Sequence, residues 1–391
     1  MMINSHSMFL QRGIESERLY FIDALRGIAA LCIFIYHIYG TIGGITGWSY
    51  PVHILPERFI DLTLAGIPLF FIISAFTLYL SLDAKSGEKR RSAKFYLRRF
   101  FRIAPLFYIL LIYVLLDDLI LQKGTVSWLE ALANFTFTFN LVPYYSSSLF
   151  SDGWTVGVEM LFYLILPLIF MRVNNIWRSF ILFIGIYWIS VACRMFLGTI
   201  VGEDIMMSTN YDFYNFFHWA YIFPAGIICY MIYKSYLPKL RDEYRTPIAL
   251  GMMLLSLIIL FIFINNYPLS MALYEIYEPL GGLTSLQSMS TVAFVLLVLS
   301  LSLSPNRFIV NRFTRFLGMI SYSLYLVHPF LVDALKPTYG YIYDHTLYST
   351  DLSLLSCIFL TSLIALPVSL LTYHLIESAG IKLGKEVISR L

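Results

Sequence analysis

The sequence predicts an all-α, polytopic membrane fold of about ten transmembrane helices with both termini in the cytoplasm. Three observations carry this. Only 13% of the residues are charged, about half of what a soluble globular domain carries. Apolar residues make up 59% of the chain and gather in runs close to the roughly 20 residues a helix needs to cross a bilayer. Backbone exposed to lipid finds no water to bond, so such runs must be helical. Third, Lys and Arg fall in alternate connections, as the positive-inside rule requires of a multispanning chain.

The first span is 19–40, LYFIDALRGIAALCIFIYHIYG. Residues 1–18 are polar and mixed in charge, and the apolar run behind them contains Arg26, so this is a retained span and not a cleavable signal. The others are 58–81, 102–122, 154–171, 177–198, 213–233, 247–266, 286–304, 316–335 and 352–376. Residues 128–142, WLEALANFTFTFNLV, are apolar but short and aromatic, and read as interfacial or re-entrant. No repeat of 20–50 residues and no inverted duplication is visible. A single membrane domain over 1–391, with its core at about 19–377 and no appended soluble domain, is expected.

With the N-terminus inside, the cytoplasmic segments hold Arg12 and Arg18, the 85–102 cluster, Arg172 and Arg178, and Lys234 to Arg245. They also hold Arg307 to Arg315 and Lys382 to Arg390. The exceptions among the 27 Lys and Arg are Arg58, Lys123, Arg194 and Lys336 outside, and Arg26 within the first span. Acidic residues gather outside, at Glu203, Asp204, Asp212, Glu275 and Glu278. A net charge of +3 gives no reason to expect a nucleic-acid partner. Cys32, Cys193, Cys229 and Cys357 all lie in apolar segments without C-x-x-C spacing, so neither a disulfide framework nor a metal site is expected.

Polar groups inside spans are costly and are functional candidates by default. Arg26 and His37 are eleven residues apart, so both point from one helix face, about 16 Å apart along the axis. The proposed orientation puts Arg26 near the cytoplasm and His37 in the outer half. Glu159, one to two turns into the fourth span, falls at a similar depth to His37. A carboxylate beside an imidazole suits general base catalysis; the plainer reading makes His37 a core histidine and Glu159 a helix-to-helix tie. Arg99 and Arg102 in KFYLRRFFRIAP share a face, as phosphate-binding arginines do, although basic residues before a span also serve as topology signals. Ser321, Tyr322, Tyr325 and His328 form a polar stripe in the ninth span, which lines a cavity or ties helices together. Glu377 reads as a surface salt bridge to the Arg-rich loops, and Asp23 as a partner of Arg26. There is no phosphate loop, nucleophile elbow or H-E-x-x-H zinc motif.

Four segments together resemble the acyltransferase 3 family of integral membrane acyltransferases. They are IDALRGIAALCIFIYH (22–37), LRRFFRIAP (97–105), DGWTVGVEMLFYLILP (152–167, with Asp152, Trp154, Glu159, Phe162, Tyr163 and Pro167) and LGMISYSLYLVHP (317–329). Their order is right and they extend over nearly the whole chain. Two positions depart: Met160 stands where a second acidic residue is common, and Ser378-Ala379 follow Glu377 where Glu-x-Pro is common. The resemblance implies ten helices in a bacterial inner membrane and an enzyme that moves an acyl group, usually acetyl, from cytoplasmic acyl-CoA. The acceptor it implies is a hydroxyl of an extracytoplasmic or lipid-linked polysaccharide such as O-antigen or exopolysaccharide. Acyl-CoA would be a co-substrate, with no tightly bound cofactor and no metal. His37 and Glu159 would be catalytic, and Arg26, Arg99 and Arg102 would bind the donor. Asp23, Asp152, Trp154, Tyr163, Ser321, Tyr322, His328 and Glu377 would support or line the site. The main rival is a transporter or flippase for a lipid-linked sugar, which would more often show inverted repeats. A polysaccharide polymerase would need more basic residues outside than these four.

Overall fold

In the computed structural model the described residues are 19–47, 63–202, 209–265, 285–345 and 350–391. They form helices α1 (Tyr20–Thr46), α2 (Gly66–Ala84), α3 (Arg91–Ile120), α4 (Trp128–Phe135), α5 (Gly153–Arg172) and α6 (Ile176–Val201). Then come α7 (Ile222–Ser235), α8 (Asp242–Asn265), α9 (Ser285–Leu303), α10 (Arg312–Ala334), α11 (Lys336–His345), α12 (Thr350–Thr372) and α13 (Ser378–Ser389). Among the described residues nine helices are long and apolar enough to cross a membrane, and Gln287–Leu303 is a shorter apolar one. The protein is therefore an all-helical, multi-pass integral membrane protein. Large apolar side chains such as Leu119 (72% exposed) and Phe359 (66%) stand on the outer rim, where lipid and not water is their solvent.

The boundaries differ from the expected spans in three places. The helix expected over 213–233 is broken: short turns Tyr211–Tyr214 and Phe216–Ala220 precede α7, and the Asn215 side chain caps the second by accepting from His218 N. The last span continues past 376 through a π-helical turn, Tyr373–Glu377, into α13. The segment 128–142 folds as α4 plus a 3-10 turn, Phe139–Leu141. Residues 58–62 of the second span, Asn266, and Arg12, Arg18, Arg58, Glu203, Asp204, Glu275 and Glu278 lie outside the described residues.

Helix α1 runs through the middle, packed on α10 and α2. Small residues allow this close approach, because packing rather than hydrophobic exclusion joins helices in lipid. A Cβ on Gly27 would lie 2.7 Å from Gly318 N, and one on Gly318 would collide with the Asp23 carbonyl oxygen. Gly318→Ala is therefore expected to lower the thermal unfolding temperature of the detergent-solubilised protein, with a loss of about 1–3 kcal/mol or more, since backbone cannot yield as a side chain does. An unfolding temperature equal to wild type would show that the two helices are free to separate. On the other side of α2, aromatic rings lock α5 to α7, with Phe162 and Phe223 stacked at 4.0 Å between centroids.

Candidate active site

Two polar centres lie along α1. At the first, Arg26 Nη2 donates to Thr77 Oγ1 of α2 at 3.1 Å. Arg99 and Arg102, one turn apart on α3, and Glu159 and Tyr163, one turn apart on α5, line the same cavity of about 90 Å³. The hydroxyls of Ser74 and Tyr163 are hydrogen-bonded at 2.9 Å beside the Glu159 carboxylate. Arg102 Nη2 lies 3.5 Å from Glu377 Oε1, whose other oxygen accepts from Ser323 Oγ at 3.2 Å. Three guanidinium groups thus meet two carboxylates, which leaves an excess positive charge in a partly dry cavity. Arg99 Nε is buried there without a hydrogen-bond partner among the described residues, a donor presented to whatever enters.

At the second centre, His37 Nε2 lies 2.9 Å from Asp152 Oδ1. A carboxylate only accepts, so Nε2 carries the hydrogen, and in the neutral ring the lone pair is at Nδ1. Asp152 is the residue before α5, in the left-handed region at φ 64°. That conformation is costly for a residue with a side chain and persists only where its surroundings impose it. The preceding loop does so. Asn134 Oδ1 accepts from Ser148 Oγ and Leu149 N at 2.8 and 3.1 Å, and Asn140 Nδ2 donates to Tyr214 O at 2.7 Å. The Asp152 side chain caps nothing in its own helix and is turned to the histidines. His328 Nε2 of α10 is 3.4 Å from Asp152 Oδ2, and the two imidazole rings are 5.2 Å apart.

The pairing expected between His37 and Glu159 is corrected. Glu159 is seven residues beyond Asp152, about 10 Å further along α5, and it belongs to the arginine centre. Asp152, expected only as a supporting residue, holds the imidazole. Glu377 is not a surface group: it is 1% exposed, drawn inward by the π-helical turn that it ends. His328, expected in the polar stripe of the ninth span, turns its ring to Asp152. Ser321, Tyr322 and Tyr325 line the arginine cavity, and the two tyrosines also tie helices: Tyr322 donates to Ile103 O of α3, and Thr155 of α5 donates to the Tyr325 hydroxyl. Asp23 lines a surface pocket with Arg312 and Arg315 and lies within the electrostatic reach of Arg26. Trp154 packs among Phe213, Tyr214 and Trp219 and lines a cavity together with His37 and Asp152.

Three cavities follow one another through these centres. A groove of about 460 Å³ lined by Lys85, Lys94, Arg98 and Lys385 shares Arg99 and Arg102 with the arginine cavity. The arginine cavity in turn shares Ile67 with a cavity of about 360 Å³ that holds His37 and Asp152. A family model described as an acyltransferase domain, that of the acyltransferase 3 family, matches residues 19–374 and so takes in all three cavities apart from the far end of the basic groove. The chain belongs to the acyltransferase 3 family. Among curated relatives of this membrane acyltransferase is ORF330 of Acidianus two-tailed virus, whose name as an acetyltransferase is provisional. It is 28% identical over 80% of this chain and 83% of its own length. The peptidoglycan O-acetyltransferase OatA of Listeria monocytogenes is 25% identical over 39% of this chain, which spans only 24% of that protein. No solved structure matches. The basic groove lies at one end of this series of cavities and the imidazole–carboxylate pair at the other.

Proposed function

We propose that this acyltransferase moves an acetyl group from acetyl-CoA, bound from the cytoplasmic side, to a hydroxyl of an extracytoplasmic or lipid-linked glycan. The observation that supports it most is the series of three cavities that leads from Lys85 and Lys385, past Arg99 and Arg102, to His37. The donor's phosphates sit on the basic groove, where guanidinium groups bind oxyanions through paired, charge-assisted hydrogen bonds. Its thin arm follows α1 over the roughly 16 Å from Arg26 to His37, and the arginine cavity, about 90 Å³, widens to admit it. Both termini are cytoplasmic in this reading, and the His37 cavity opens to the other face.

The acceptor hydroxyl enters by that outer cavity. His37 Nδ1 takes its proton as the oxygen attacks the thioester carbonyl, and Asp152 stabilises the imidazolium that forms. The carbon–sulfur bond then breaks, and the departing thiolate recovers the proton from His37 as free CoA. Both reactants are held in one passage, which removes much of the entropic cost of their meeting.

The test is the donor dependence of Arg99→Gln and Arg102→Gln. Each removes a charged hydrogen-bonding group, valued at about 1.5–3 kcal/mol, so KM for acetyl-CoA is expected to rise about 10- to 150-fold with little change in kcat. An unchanged KM in both variants overturns the placement of the donor. Mass spectrometry of surface glycan from a strain lacking the protein identifies the acceptor by its lost 

acetyl mass.

A further inference from the structure

We propose that His37, Asp152 and His328 form a binding site for a zinc-class divalent cation, and that filling it switches off the base. The second half rests on the role given to His37 above; the first does not. One ligand atom from each residue lies within 4.8 Å of the other two. The sequence hid this because the three come from separate segments with no metal-ligand spacing.

The donor and acceptor chemistry points to a cation. His328 Nδ1 lies 2.9 Å from the Leu324 carbonyl oxygen, which only accepts, so Nδ1 carries a hydrogen. In the neutral ring Nε2 is then a bare lone pair, and it faces Asp152 Oδ2 at 3.4 Å. Two acceptors confront each other, both buried and neither with a hydrogen-bond partner among the described residues. The His328 side chain is fully buried and that of Asp152 is 5% exposed. A cation between them satisfies both. Imidazole nitrogen and carboxylate oxygen are ordinary zinc ligands at about 2.0–2.2 Å, which sets neighbouring ligands about 3.4 Å apart in a tetrahedron. The Asp152 contacts, 2.9 Å from Oδ1 to His37 and 3.4 Å from Oδ2 to His328, are close to that separation, so each carboxylate oxygen is within reach of a cation held by one of the imidazoles. The three ligand atoms lie within 4.8 Å of one another, so no gap among them has to close by more than about 1.4 Å to meet it. The bond from His328 Nδ1 to a backbone carbonyl is the outer support that metal-bound histidines usually have. The outer cavity gives the ion its route and leaves the fourth position to water.

A metal on His37 Nε2 takes the nitrogen that carries the hydrogen. The hydrogen moves to Nδ1, no proton is lost, and the lone pair that serves as base is consumed.

The experiment is zinc titration of the chelator-treated, full-length protein in detergent micelles. One equivalent per chain is expected, with X-ray absorption showing nitrogen and oxygen ligands only. His328→Ala and His328→Gln, the second keeping the volume, are expected to weaken binding at least about tenfold. Zinc held by sulfur, or uptake equal in both variants and wild type, overturns the site. Acetyl transfer is expected to fall as the site fills and to return with EDTA; full activity at saturation overturns the switch. Zinc uptake is read without turnover, so a failure of the acetyltransferase reading leaves the first half testable.

Discussion

His37→Ala is expected to lower acetyl transfer by about 10²- to 10⁴-fold, the range that a positioned general base supplies. Four features of the site set this expectation. The ring lines the cavity with its lone pair at Nδ1, since Asp152 occupies the other nitrogen. It is about a quarter exposed, which leaves room for an acceptor beside it. It stands eleven residues along α1 from Arg26, too far for its loss to disturb donor phosphates. It packs edge-on against Tyr36 and His328, contacts that a smaller side chain forfeits without opening the helix bundle. KM for acetyl-CoA should therefore stay near wild type while kcat falls. The measurement is steady-state CoA release by the membrane-inserted variant, with expression and insertion matched to wild type. Wild-type turnover would remove His37 from the reaction. A raised KM with unchanged kcat would move it to the donor site.

Much of this architecture was legible in the chain. Hydropathy gives the helices because lipid leaves a spanning segment no other way to satisfy its backbone, and each expected span falls largely on helix where it is described, the sixth being broken at Asn215. The Arg26–His37 spacing is legible for the same reason: a regular helix turns residue number into direction and distance. What was not legible depends on contacts between segments. Asp152 lies outside the helix that the hydropathy marks, in a left-handed conformation at the end of a loop that Asn134 of α4 pins through Ser148 and Leu149. Depth along a helix therefore favoured Glu159, which the sequence places in the same span. The one local hint was Ser-Asp-Gly directly before Trp154, a turn-forming run with an acidic residue at a helix start. Glu377 was misjudged because a π-helical turn shifts the helix face by a residue, and no periodicity announces that.

Asp152→Ala is expected to cost as much as the loss of His37, and Asp152→Asn considerably less. Alanine removes the acceptor that fixes the hydrogen on His37 Nε2 and leaves the imidazole free to rotate or to place the hydrogen on Nδ1, where no base remains. Kcat then falls about 10²- to 10⁴-fold. Asparagine fits the same space differently. Its oxygen accepts from His37 as Asp152 Oδ1 does at 2.9 Å, and its amide nitrogen donates to His328 Nε2 from the place of Oδ2, 3.4 Å away. The tautomer is kept and only the negative charge is lost. The difference between a charged and a neutral partner for the imidazolium is about 1.5–3 kcal/mol, so kcat falls about 10- to 150-fold. Glu159→Gln, two turns away beside Arg26 and Arg99, should instead act on KM for the donor. The decisive readout is kcat and KM for the three variants side by side. If Asn is as damaging as Ala, Asp152 acts through its charge alone and the tautomer argument fails. If Glu159→Gln lowers kcat more than either Asp152 variant, the base is held from the arginine centre, and the 2.9 Å contact between His37 and Asp152 is structural.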